Sequence, residues 1–487
     1  MRNIARLLLY LVASAAIVSA AVTEPMPMGI VVNTGETLDL SGRTVQTPSV
    51  TVNSGGTLIL SGTTLIMDGA SNGTANIWVK GGTMKILASS EIKSANANRY
   101  TFWVDAGSTF EMKDSRMSGC GYISSENNKT GLFVKANGAI IENNDFASNR
   151  VCVLLSGANS AKVIGNRFNQ CEKQAIFVEY SNSAEISSNS FSTNDPLQYS
   201  LLLSSCLNTI VSDNVFNNPR GLGLVKTNSS TIKNNEFKDS TGYSITLSTH
   251  GADSKENLLE NNSVAGTLFV RGTSNIVKGG SVQTELYIEG GANNNWLDGV
   301  DFSGAAATLN TQSVTGTVMD NNVFDGTNFA EDNAVITLES SNTVHNAVFG
   351  KNVSIFMTGV RNVVDNVTIQ DCAGIQIGVP YIGGAGARNT LSNSTIILNF
   401  ASGYGIVCKG PCAIINNTII TAYALAQREA ERQASLTGLV AAGGIGRTAS
   451  VPETAAPKQS SNGAQGMLLL VAFGAAALFA FWAMKRK

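Results

Sequence analysis

The chain has 487 residues, a net charge of −2 and only 14% charged residues, with 48 Gly against 9 Pro. That composition is too apolar for a disordered chain and too poor in helix formers for a helical one. A near-neutral balance without a Lys/Arg stripe excludes nucleic acid as a partner.

At the N-terminus, Arg2 and Arg6 precede the apolar run Leu7 to Ile17, and Val18, Ser19 and Ala20 offer small residues for cleavage. Residues 1–20 therefore read as a secretory signal peptide and are left out of the fold.

From residue 30 to 422 the sequence repeats. The hexapeptide IENNDF (141) has the form apolar, any, Asn/Gly, Asn/any, any, apolar. It returns as VIGNRF (163), ISSNSF (186), VSDNVF (211), IKNNEF (232), LENNSV (259), VKGGSV (277), LDGVDF (297), MDNNVF (319), VHNAVF (344), VDNVTI (364), LSNSTI (391) and IINNTI (414). LSGRTV (40) and LSGTTL (60) fit upstream, while LASSEI (87) and MKDSRM (112) keep only the apolar ends. These 17 units start 18 to 29 residues apart. Runs between them, such as VTVNSGGTLIL and AVITLE, alternate with period 2 and read as strand. One strand pair cannot bury its face alone, but stacked coils build a continuous core. The prediction is an all-β, right-handed, single-stranded parallel β-helix of about 17 coils, because coils of variable length fit the right-handed form. At ~4.8 Å per coil the stack is about 77 Å long.

The repeat resembles the right-handed parallel β-helix repeat family of the pectin-lyase-like superfamily, with the NosD-like surface and periplasmic proteins among its members. The resemblance implies architecture over residues 30–422 and leaves function open, since unrelated activities share this scaffold.

The apolar hexapeptide ends must point inward, so the middle pair forms a corner. A sharp corner needs φ > 0, which Asn and Gly tolerate best, and stacked asparagines form ladders along the axis. A structural corner ladder is expected from Asn143, Asn144, Asn166, Asn189, Asn214, Asn235, Asn262, Asn322, Asn346, Asn366, Asn393 and Asn417. Gly279, Gly280 and Gly299 replace asparagine in two coils, which a bend survives and a ligand site does not. A second corner is marked by Asn257, Asn275, Asn295, Asn342, Asn362 and Asn389.

Seven cysteines leave at least one unpaired. Cys120, Cys171 and Cys372 share a column, and Cys120 lies two coils, about 10 Å, from Cys171, so these read as small buried stacking residues. Cys408 and Cys412 flank one turn and are expected as a local disulfide.

The second hexapeptide position points outward, and in four consecutive coils it reads Asp298, Asp320, His345, Asp365. Stacked like charges are costly unless a cation or proton intervenes, and an oxygen-rich column suits Ca²⁺. A solvated polar face is the alternative. No catalytic residue is assigned. The paired-acid, GHG and RIK signatures of polygalacturonase-type hydrolases are absent. Ala106 stands where a lyase motif near Asp105 carries histidine, and NDPLQY (194) lacks the histidine of an epimerase motif.

After the last coil, residues 423–442 are rich in Ala, Leu, Arg and Glu and read as a helical cap or stalk. Residues 443–466 have linker composition. Residues 467–484 are uncharged and, at ~1.5 Å per residue, span about 27 Å as a transmembrane helix. The basic residues 485–487 form a cytoplasmic tail. The chain therefore reads as an exported, single-pass, membrane-anchored surface protein. The favoured role is a non-enzymatic structural, adhesive or glycan-binding rod facing a glycan or the cell envelope, or another copy through its exposed N-terminal edge. The alternatives are a polysaccharide lyase, hydrolase or epimerase, and a NosD-like maturation or carrier protein.

Overall fold

The computed structural model describes residues 23–193, 195–239, 241–248, 254–288 and 292–303, and beyond them separate stretches ending at residue 421. They belong to a compact unit bounded by Met1 and Ala426. The expected signal peptide, helix, linker, membrane span and basic tail lie outside the described residues, as does Asn322. Among the described residues no helix is long and apolar enough to cross a membrane.

Each coil contributes three short strands. In one coil these are Val151–Ser156, Lys162–Ile164 and Arg167–Cys171, and in the next Ile176–Glu179, Glu185–Ser187 and Ser190–Thr193. Each strand pairs in parallel with its counterpart one coil on, which gives three lengthwise sheets. We name them first, second and third in the order the chain visits them within a coil. The third sheet has 18 strands, because Thr23–Pro25 adds a rung. The first has 13 up to Ala306–Leu309, followed by a separate sheet of 4 beginning at Ala334–Leu338.

Alternation builds the core. Ile141, Phe146, Val163, Phe168, Ile186 and Phe191, the ends of three hexapeptides, are all buried. Equivalent positions meet across coils, so Phe146, Phe168, Phe191, Phe216 and Phe237 stack in one file with ring centroids 5.1, 5.3, 4.5 and 4.5 Å apart. Burying each ring is worth about 1.5–3 kcal/mol, with further gain from the aromatic pairs. The unit LASSEI departs from the frame. Ala88 and Ser89 both take positive φ there, and Ile86, paired with Met112, points inward in place of Leu87.

The corner asparagines form two files in place of the single ladder expected from sequence, an outer one at the bend, where Asn366 Nδ2 donates to Asn346 Oδ1 at 2.7 Å, and a buried one beside it. The third hexapeptide position bends the chain. Asn143, Asn346, Asn366 and Asn393 have φ between 50 and 56° and sit on the outside. Gly165, Ser188 and Asp213 occupy the same position with φ of 67, 57 and 57°. The fourth position makes the ladder. Asn144, Asn166, Asn189, Asn214, Asn235 and Asn262 are buried, and each of the first five donates Nδ2–H to the Oδ1 of the next at 2.9–3.1 Å. Asn417 repeats the role by accepting from the Ser394 amide at 2.9 Å.

Where this ladder stops, Gly280, Val300, Ala347 and Val367 fill the fourth position. The second corner takes over in those coils. Asn257 donates to Asn275 at 3.0 Å and Asn275 to Asn295 at 3.2 Å, and the Asn342 and Asn362 amides donate to Asn362 and Asn389. Buried backbone groups at a corner must find partners, and one polar file per coil supplies them.

The cysteines require another correction. Cys171 is not a lone stacking residue but is bonded to Cys152, with Cα atoms 5.9 Å apart. Both sit where parallel register slips. The pairing runs from Val151 to Val153 around Cys152, and Gln170, beside Cys171, has φ 54°. These bulges turn two side chains of one coil toward each other across the corner between the third and first sheets. Cys120 and Cys206 are free and buried, and burial pushes both thiols up from their ordinary pKa. The side chains of Cys372, Cys408 and Cys412 lie outside the described residues.

Candidate functional site: an aromatic face on the first sheet

Strands of the first sheet share the pattern apolar, variable, apolar, with the apolar pair inward and the middle residue outward. IWV, FWV, LFV, IFV, LFV and LYI are examples at 77, 102, 132, 176, 268 and 286. In register, the outward residues form one column: Trp78, Trp103, Phe133, Leu154, Phe177, Leu202, Gly223, Thr246, Phe269 and Tyr287. An outward column this apolar departs from the polar face that alternation normally leaves to solvent.

Its middle is roofed. Phe133 and Leu154 are buried with Val151 in a small second core, against which Trp103 and Phe177 pack. The 3₁₀ turn Asn127–Lys129 lies over strands Thr101–Val104 and Gly131–Val134 and ties itself to Glu179 through Asn127.

On either side the column is open. In the N-terminal group, Trp78 stacks on Trp103 at 5.1 Å, Lys80 Nζ stands 3.6 Å over the Trp78 ring, and the Trp78 indole donates to Asp105 at 2.8 Å. In the C-terminal group, Phe269 stacks on Tyr287 at 5.1 Å and meets Tyr243 edge-on at 5.7 Å. Tyr199 lies against Gly223, where a Cβ would sit 2.9 Å from its ring, so the missing side chain makes room for the tyrosine. Tyr199, Tyr243 and Phe269 enclose a cavity of about 230 Å³ with Arg220, Arg271, Thr246 and Ser248.

Sequence reasoning placed the chemistry elsewhere. Asp298, Asp320, His345 and Asp365 do stand in consecutive register on the second sheet. Lys278 precedes Asp298 in the same file, so the column is of mixed sign. Ser392 Oγ donates to Asp365 at 2.6 Å and Asn393 Nδ2 at 2.8 Å, and these bonds, with His345 nearby, hold its carboxyl below the usual range. The Asp320 side chain lies outside the described residues, and among those described no three His, Cys, Asp or Glu are grouped to hold a metal ion. Trp296, beside this column, is 47% exposed.

Asn143 of IENNDF borders a groove of about 560 Å³ with Glu91, Arg116, Asp145 and Arg167. Those four alternate in sign along the register and no aromatic ring lines the groove. The first-sheet column was legible in the triplets above. It escaped because a hexapeptide frame covers a single corner of each coil.

A search of curated proteins finds no match. Solved structures similar to this chain include a mutant of the periplasmic alginate epimerase AlgG, 12% identical over 77% of each chain with a TM-score of 0.32. The surface adhesin PfbA of Streptococcus pneumoniae is 12% identical over 77% of this chain and 86% of its own, with a TM-score of 0.25. The mannuronan C-5 epimerase AlgE6 A-module of Azotobacter vinelandii is 14% identical over 75% and 90%, with a TM-score of 0.27. The family model described as right-handed beta helix region matches residues 28–196, 77–237 and 130–282, overlapping spans that together cover half of the chain. With three parallel sheets wound from one repeat and that match along it, the chain belongs to the right-handed β-helix family.

Proposed function

We propose that this protein is an exported, membrane-anchored surface scaffold that binds glycan along the outer face of its first sheet. The observation that carries the reading is the register column with its two open aromatic groups, Trp78–Trp103 and Phe269–Tyr287. A pyranose ring offers C–H faces to aromatic rings and hydroxyls to nearby polar groups, and Asp105 stands at the Trp78 indole N–H while Lys80 and Arg220 lie over the Trp78 and Tyr199 rings. A sheet-borne site is already ordered, so binding does not carry the cost of organising a loop. Export and anchoring rest on the sequences of residues 1–20 and 467–484.

The test is a panel of neutral and acidic glycans presented to the full chain, read for both binding and turnover. Trp78→Ala and Phe269→Ala are expected to weaken binding about tenfold each, a typical loss for a buried aromatic anchor. Trp296→Ala, on the second sheet, is expected to change nothing. Absence of binding across the panel, or equal loss from Trp296→Ala, refutes the reading. Turnover of any member would move the protein to the polysaccharide-active class.

A further inference from the structure

The C-terminal aromatic group lines an open cavity, and its polar groups are specific in kind. Arg220 is held in place on three sides. Its Nη1 donates to the Leu197 carbonyl at 2.9 Å, and its guanidinium carbon lies 5.7 Å from the Tyr199 ring and 5.9 Å from the Tyr243 ring. The charge is thereby fixed at the mouth while part of its donor fork stays available, since a guanidinium carries five N–H groups. Arg271 lines the same cavity, and among the described residues that line it there is no carboxylate.

Beneath the rings, Thr246 is 4% exposed and its hydroxyl has no hydrogen-bond partner. A buried hydroxyl without a partner is destabilising. Rotation about χ1 exchanges the hydroxyl and methyl of threonine, so a polar ligand atom in the cavity can satisfy it. Beside Thr246 in register, Phe269 with Tyr243 edge-on supplies an apolar wall. A volume of about 230 Å³ accommodates one sugar ring.

Resting on the glycan reading above, we infer that this cavity takes a single anionic sugar unit, a pyranose bearing a carboxylate or a sulfate. The ring lies against Phe269 and Tyr243, the oxyanion meets the Arg220 fork, and a ring hydroxyl reaches Thr246. Arg–oxyanion pairs are charge-assisted and bidentate, which makes them selective for planar carboxylates and for sulfate over hydroxyls.

The experiment titrates the full chain with glucuronic acid, N-acetylneuraminic acid, glucose 6-sulfate and glucose, following binding by ligand-observed NMR. The acidic sugars are expected to bind about tenfold or more tighter than glucose, with an advantage that shrinks as salt is raised. Arg220→Gln is expected to abolish that advantage with the melting temperature unchanged, and Thr246→Val to weaken every sugar several-fold. The three acids distinguish carboxylate from sulfate recognition. Glucose binding as tightly as the acids, or Arg220→Gln leaving the preference intact, overturns the anionic assignment and leaves the glycan reading standing. If no sugar binds and Phe269→Ala is also without effect, both fall.

Discussion

Asn189→Ala tests whether the buried asparagine file is a principal support of the stack. The side chain takes part in four hydrogen bonds. Its Nδ2 donates to Val163 O at 2.8 Å and Asn214 Oδ1 at 3.0 Å, while its Oδ1 accepts from the Asn166 amide at 2.8 Å and Asn166 Nδ2 at 3.1 Å. At about 1 kcal/mol net for each, the loss is about 4 kcal/mol, with the buried Asn166 N–H left without its acceptor. The adjacent residue is the control. Ser188 carries the bend at φ 57°, and Ser188→Gly removes left-handed strain while adding freedom to the unfolded chain, for a net change within about 0.5 kcal/mol.

Coils of a solenoid open locally, so hydrogen exchange at the Asn166 and Asn189 amides is the direct assay, with the urea midpoint as the global one. A loss of about 4 kcal/mol corresponds to nearly a thousandfold faster exchange at these amides. If Asn189→Ala costs less than about 1 kcal/mol, or if Ser188→Gly costs as much, the division of labour between neighbouring corner residues is wrong.

Five further outcomes are expected. Replacing Cys152 and Cys171 together by Ser removes a bridge that closes 19 residues, and should cost about 3 kcal/mol on the chain-entropy model, read from the urea midpoint. Native thiol labelling should at the same time leave Cys120 and Cys206 unmodified until denaturant is added. Phe191→Ala opens the middle of the phenylalanine file and should cost about 3–5 kcal/mol in the same assay. The lowered carboxyl of Asp365 contributes stability that is fully present above about pH 4 and is lost as pH falls through its folded-state pKa, so an NMR titration should place it below the model-peptide value, and Ser392→Ala should raise it. With Lys278 beside Asp298 and with Asp365 engaged by Ser392 and Asn393, Ca²⁺ should leave the melting temperature unchanged. A rise abolished by Asp320→Ala would establish the cation site.

The coil frame was readable because the core sets it: Ile141 and Phe146 must be buried and five positions apart, and outside LASSEI that spacing survives substitution of the residues between them. Less readable was what Asn143 and Asn144 each do, because bend and ladder favour the same residue type for different reasons. Only the companions at each position tell them apart, with Gly, Ser and Asp at the third and Ser, Gly and Val at the fourth. The disulfide was hidden for another reason. Column arithmetic compares equivalent positions in successive coils, whereas Cys152 and Cys171 meet within a coil through bulges that no period reveals. The site was missed because acids drew attention to the second sheet, while the informative residues were aromatics where alternation calls for polar ones.

The asparagine ladder also has a direction. From Asn144 to Asn235, each residue gives its backbone N–H and one Nδ2 proton to the Oδ1 of its C-terminal neighbour, and the other Nδ2 proton to a backbone carbonyl of the preceding coil. A partly built stack thus ends, on the side where chain is still arriving, in a donor pair awaiting a carbonyl. A chain that folds from its N-terminus delivers coils in that same order, so each finished turn offers its donor pair to the next. The two faces of any rung are chemically unlike, since one presents a donor pair to the next Oδ1 and the other presents an Oδ1 to the preceding donor pair.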